Sequence, residues 1–143
     1  MNEVIKAMKE RRSIRKFKAE MPPKADLEQI VEAGLYAANG RGKQAVITIA
    51  VTDKELRDKL SAVNNEIMGG PEGNDPFYGA PAILIVLANK AKEEFEMPEY
   101  QKLLKDLGIE GEWEGIGHCA VGYIDGENPA AAPRNDGRVF WVE

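Results

Sequence analysis

Residues 82–88 read Ala-Ile-Leu-Ile-Val-Leu-Ala, seven positions without one polar side chain. A run this short and this apolar predicts a strand covered on both faces, because a half-exposed strand would alternate apolar and polar residues. The rest of the chain must then supply apolar layers above and below it. Gln44 to Thr52, rich in β-branched residues, predicts a second strand with substantial burial.

The helical segments follow from spacing. Asn2 to about Arg12 places Val4, Ile5 and Met8 on one side of a short amphipathic helix. Pro22-Pro23 cannot continue a helix, so a connection precedes the second one, Lys24 to Ala38, whose stripe is Leu27, Ile30, Val31, Gly34, Leu35 and Ala38. Asn39-Gly40 supplies its stop. Thr52-x-x-Glu55 has the form of a capping box, and Leu56, Leu60, Val63 and Ile67 carry a third helix through Met68. Residues 69–81 hold four glycines and three prolines and predict a long surface loop, a kind of segment that often carries function. A fourth helix is expected over Lys92 to Leu107, with Pro98 near its start. Gly115 to Ile124 reads as a glycine-interrupted strand and Arg138 to Val142 as a closing one. Four helices and about four strands in mixed order, in 143 residues, give one α+β domain.

Charge narrows the function. The chain carries 19 Lys plus Arg against 24 Asp plus Glu, a net −5, but the balance is uneven. Residues 1–18 hold seven bases and two acids, so a +5 arm sits on a −10 remainder. That pattern suggests a local anion site rather than a nucleic-acid surface. No apolar stretch approaches the ~18 residues of a membrane helix, and the charged start is unlike a signal sequence, so a cytoplasmic protein is expected. One cysteine, Cys119, and one histidine, His118, rule out a disulfide scaffold and leave too few ligands for a zinc site.

The densest candidate site is Arg11-Arg12-Ser13-Ile14-Arg15. Guanidinium forks bind phosphate through paired, charge-assisted hydrogen bonds, and a serine hydroxyl adds another; a solvated basic turn or a weak nucleic-acid arm is the plainer alternative. The turn from Asn39 to Gln44 contains a Gly-Lys pair, but Ala37 and Gln44 stand where a Walker loop needs Gly and Ser or Thr. It is either a plain helix stop or a turn that presents Gln44 and backbone amides to a planar polar ligand. His118 and Cys119, adjacent in a strand, point to opposite faces and read as sheet residues without a catalytic role. Gly115, Gly117 and Gly122 read as packing or bulge positions, and the acidic run from Glu93 to Glu99 as a solvated helix start.

In their order along the chain, RRSIRKF, LEQIVEAGLYAANGRGKQ, VNNEIM, DPFYGAPAILIVLA, EYQKLLKDLGIEGEWEGIGHCAVGY and PAAAPRNDGRVFWV resemble the FMN-dependent nitroreductase family. The resemblance implies a nitroreductase-like α+β fold, with a mixed, mainly antiparallel sheet flanked by helices, and an intertwined homodimer that forms two FMN sites. By motif, Arg11, Arg12, Ser13 and Arg15 match the segment that holds the FMN phosphate and ribityl chain. Gln44 and Asn64 match residues at the flavin, and Arg134 a tail arginine on the phosphate. Asn39, Gly40 and Arg41 would border the nicotinamide and substrate space.

The implied reaction is hydride transfer from NADH or NADPH through FMN to a nitroaromatic, quinone or related small aromatic acceptor. It needs no protein nucleophile and no metal. A flavin- or nucleotide-binding homodimer without turnover is the alternative. The sequence departs from the family at three places. Ala132 replaces a lysine, Ala45-Val46 follows Gln44 where Pro-Trp is common, and a long central helix with a further strand is missing after Ala91. A single 1–143 domain with an internal deletion or omitted segment near 91–92 is therefore expected.

Overall fold

The computed structural model describes residues 1–38, 44–89, 104–111 and 113–133. In chain order these form α1 (Glu3–Glu10), α2 (Lys24–Leu35), β1 (Val46–Val51), α3 (Lys54–Ile67), β2 (Ala82–Asn89) and β3 (Trp113–Val121). The strands make one antiparallel sheet in the order β1-β2-β3, with the all-apolar strand in the middle. The fold is α+β with an antiparallel sheet. Residues 92–103 of the expected fourth helix, the junction at Ala91-Lys92 and the closing strand Arg138–Val142 lie outside the described residues. Among the described residues no helix is long and apolar enough to cross a membrane.

Residues directly opposite in an antiparallel pair share a face. Val51 with Ile83, Ile49 with Ile85 and Ile47 with Leu87 therefore stack on one side of the sheet. Leu56 and Leu60 of α3 cover them, and Phe77, Leu104, Ile109 and Trp113 complete that core. Each large aliphatic side chain fully buried there contributes about 1.5–3 kcal/mol relative to exposure. The same register continues into β3: Ile85 opposes His118 and Ile83 opposes Ala120, so His118 stands on the α3 side of the sheet. Across the break in that ladder, Val86 opposes Gly117 and Leu87 opposes Gly115, leaving Ile116 as the extra residue of a bulge.

The helical stripes are covered unevenly. No residue of α1 is buried, and Val4, Ile5 and Met8 are all exposed. On α2 only Leu27 is buried, while Ile30 and Leu35 remain open. Periodicity in the sequence shows that a helix has an apolar side; it does not say which element covers it. In α3 the buried positions are Arg57, Leu60, Ser61 and Asn65, so much of its inward face is polar.

The N-terminus of α3 differs by one residue from the expected box. Asp53, not Thr52, is the cap: its Oδ1 accepts from Leu56 N at 2.8 Å. Glu55 instead pairs with Lys59 at 2.7 Å. Asp53→Ala removes that cap bond and is expected to cost about 1 kcal/mol, readable as a lower urea midpoint at unchanged slope.

Candidate functional site

Three backbone contacts lay residues 12–18 down as an extended segment after α1. Phe17 N donates to Tyr78 O at 3.2 Å, Lys18 N to Tyr123 O at 2.8 Å, and Asp125 N to Lys16 O at 3.1 Å. The segment is thus held between the 69–81 loop and the chain that follows β3. Between it, the loop, the C-terminal half of α3 and β3 lies a cleft of about 670 Å³. Its walls include Arg11, Arg12, Ser13 and Ile14, then Asn64 and Met68 from α3, Pro76, Phe77 and Tyr78 from the loop, and His118 and Cys119 from β3.

The loop reaches the cleft because a polar stripe of α3 pins it. Arg57, Ser61 and Asn65 recur every four residues and face one side. Arg57 Nε donates to Ala80 O at 2.9 Å, and Ser61 Oγ to Asp75 Oδ1 at 2.7 Å. Asn65 Nδ2 donates to Pro71 O at 2.8 Å, and its Oδ1 accepts from Asn74 Nδ2 at 2.9 Å. Gly70 leaves room for this bonding, since a Cβ on it would clash with Asn65 Oδ1 and displace it from Asn74.

Asp75 is the centre of this clamp. Its carboxylate accepts from Arg57 Nη2, from Ser61, and from the amides of Phe77 at 3.0 Å and Gly79 at 2.7 Å. Partial burial alone would raise its pKa, but the hydrogen bonds from Arg57, Ser61 and the two amides outweigh that and hold it at about 2. The Arg57 guanidinium also lies 5.6 Å from the Phe77 ring centroid, and Phe77 meets His118 edge-on at 5.4 Å. Burial lowers the His118 pKa from its ordinary 6.5, so the imidazole is neutral at pH 7.

Four of the residues expected at a cofactor come together in this cleft: Arg11, Arg12, Ser13 and Asn64. Among the described residues two cations and no carboxylate line it, which makes its basic end a place for an anion. Arg11 has no ion pair among the described residues. Arg12 is partly committed: Nη1 donates to Lys9 O at 2.7 Å and Arg11 O at 2.8 Å, and Nε to Pro129 O at 3.1 Å. It therefore closes the C-terminus of α1 and ties it to the tail. Asn64 Nδ2 donates back to Leu60 O at 2.8 Å, which leaves Oδ1 as an acceptor without a partner among the described residues.

Arg15 is exposed and is not part of the cleft wall, and Gln44 stands at the start of β1, with β2 between it and β3. Asn39, Gly40, Arg41 and Arg134 lie outside the described residues. Sequence reasoning had not singled out Arg57, Asp75, Phe77 or Tyr78. The four-residue spacing of Arg57, Ser61 and Asn65 was the available signal.

Residues 8–72 match a model described as the Nitroreductase family. The FMN reductase (NAD(P)H) of Bacillus subtilis is 39% identical over 98 residues, which cover 67% of this chain and 36% of that protein. The matched residues thus span about a third of the length of this curated relative. A solved nitroreductase with bound FMN from Desulfitobacterium hafniense superposes with a TM-score of 0.85 at 23% identity, covering 100% of both chains. Another, with bound FMN from Bacteroides fragilis, gives 0.83 at 22% identity, again over 100% of both chains. Residues 8–72 are thus similar in sequence to the Nitroreductase family, and the fold is that of solved nitroreductases.

Proposed function

We propose that the chain binds FMN in the cleft and works as an NADH- or NADPH-dependent oxidoreductase on nitroaromatic, quinone or related acceptors. The observation that carries this reading is the cleft itself. Among the described residues it has cations and a serine hydroxyl at one end, an amide side chain and aromatic walls beyond, and no carboxylate. An elongated ligand with a phosphate at one end and a planar ring at the other suits that order, and the volume falls in the usual range for cofactor sites. The FMN bound to the two solved nitroreductases of like fold supports the assignment.

When bound, FMN supplies the redox chemistry, taking a hydride from the nicotinamide and passing reducing equivalents to the acceptor. The chain's residues bind and orient. Arg11, Arg12 and Ser13 would hold the phosphate, Asn64 would offer a polar group to the ring, and Ile14, Phe17 and Phe77 would keep water from the slot.

A homodimer goes with this reading. Gln44 precedes β1, which among the described strands is the edge away from the cleft, so on this reading it would meet the flavin of a second copy. The exposed Val4, Ile5, Met8, Ile30 and Leu35 offer apolar surface for such a partner. A cytoplasmic location, where nicotinamide donors are held, also fits.

Absorption of freshly purified, desalted protein tests the cofactor: flavin bands are expected, and colourless protein that takes up no added FMN rejects the reading. Anaerobic NADH or NADPH should then bleach those bands. Flavin that neither donor bleaches points to the binder without turnover.

A further inference from the structure

Among the described residues only Gln44 and Tyr78 have positive φ without being glycine. Gln44 lies just before β1. Tyr78, at φ +57, is followed by Gly79 at φ +76, and Ala80 N closes the turn on Phe77 O at 3.0 Å. Two left-handed central residues in a four-residue turn define the mirror-image type, which favours Asn-Gly or Gly-Gly because a Cβ crowds the backbone there. A tyrosine is a poor occupant of that position. The surroundings nevertheless hold it: Tyr78 N donates to Asp75 O at 3.0 Å, Tyr78 O accepts from Phe17 N at 3.2 Å, and the Asp75 carboxylate takes the Gly79 amide. The ring is not placed there to fill the core, since Tyr78 is 45% exposed and lines the cleft. Backbone strain kept in place by a surrounding clamp, with its side chain at a ligand cleft, is a mark of function.

We infer that Tyr78 is a ligand-contacting residue whose phenol ring stacks on a planar aromatic ring in the cleft and so helps set which aromatic ligands bind. This rests on the flavin reading above. The planar ring has two sources, the isoalloxazine of FMN or an aromatic acceptor, and the recognition chemistry is the same for both: face or edge contact with a π-system, largely independent of the hydroxyl.

The test compares Tyr78→Phe, Tyr78→Asn and Tyr78→Ala in the full chain. FMN affinity is read by flavin fluorescence. Affinity of the FMN-loaded protein for 1,4-naphthoquinone is read from the shift in flavin absorbance, without nicotinamide. Tyr78→Asn and Tyr78→Ala should each weaken one of the two ligands about tenfold, and the ligand that weakens identifies the ring. Tyr78→Phe should stay within about twofold for both. Because asparagine tolerates the left-handed region and alanine does not, Tyr78→Asn should melt about 2 °C or more above Tyr78→Ala although both lack the ring.

Ring-less variants that bind both ligands as the wild type does overturn the assignment, and an asparagine variant no more stable than the alanine one overturns its basis in strain. A wild-type protein that takes up no FMN removes the flavin reading and this one with it. Wild-type protein that holds FMN beside indifferent Tyr78 variants removes this one alone.

Discussion

Asp75→Ala lowers the unfolding free energy by about 3 kcal/mol, at the low end of what breaking a buried ion pair costs. The loss is large because one carboxylate serves four donors on two elements. Arg57 Nη2 and Ser61 Oγ come from α3, and the amides of Phe77 and Gly79 come from the loop. Without it Arg57, only 8% exposed, keeps Ala80 O and the partly exposed Asp58 as partners, and its charge is no longer matched inside the fold. The effect sits at the low end because the Asp75 side chain is 31% exposed, so water replaces part of what is lost.

The same carboxylate gives a signature in pH. Its native pKa, about 2, lies below the ordinary 3.8, so the native state binds the proton less readily than the unfolded chain does. A group depressed in this way contributes its full stability above pH 3.8 and loses it as pH falls towards 2. After allowance for solvent screening, about 1–2 kcal/mol should disappear from the wild type in that window. In urea series from pH 5 to pH 2, the gap between wild type and Asp75→Ala should therefore narrow. A gap that stays constant to pH 2 would show that the charge of Asp75 is not what the clamp depends on.

This clamp also shows where sequence reading stops. The sheet was legible because β2 and β1 are continuous apolar or β-branched runs, whose burial needs no knowledge of partners. The third helix was legible from Leu56, Leu60, Val63 and Ile67, yet Ile67 is 56% exposed and Arg57, Ser61 and Asn65 are buried in its place. An apolar stripe records hydrophobic burial only, whereas here a helix face is buried against loop backbone whose polar groups need partners. The 69–81 loop was legible as a loop, but not as a structure docked on α3, because that depends on which donors meet Asp75.

His118 and Cys119 were legible as strand residues on opposite faces. That both border a cleft follows from β3 being an edge among the described strands, which is a property of the sheet and not of the segment. The RRSIR motif was legible as basic and phosphate-like. That Arg12 spends Nε and Nη1 on carbonyl groups, while Arg11 does not, depends on where the chain near Pro129 returns.

That difference between neighbouring arginines sets the second large effect. Arg11→Ala is expected to weaken FMN binding about 10- to 100-fold with little change in stability, since a charge-assisted hydrogen bond to phosphate is worth about 1.5–3 kcal/mol. Arg12→Ala should weaken FMN as well, but it also removes the bonds to Lys9 O, Arg11 O and Pro129 O, so its urea midpoint falls. Arg12→Lys does not repair both losses, because a single ammonium cannot reproduce the fork that reaches the helix end and the tail together.

Fluorescence titration of FMN at two salt concentrations reads the first effect. Riboflavin, which has the ring without the phosphate, serves as the control. Arg11→Ala should leave riboflavin affinity close to that of the wild type and flatten the salt dependence of FMN binding. If Arg11→Ala instead weakens riboflavin and FMN equally, the guanidinium acts at the ring and the phosphate lies elsewhere. Arg11 and Arg12 stand at the C-terminal end of α1, whose partial negative charge gives a phosphate no help. All of the attraction must then come from the side chains, and a single neutralised arginine should be felt at nearly full strength.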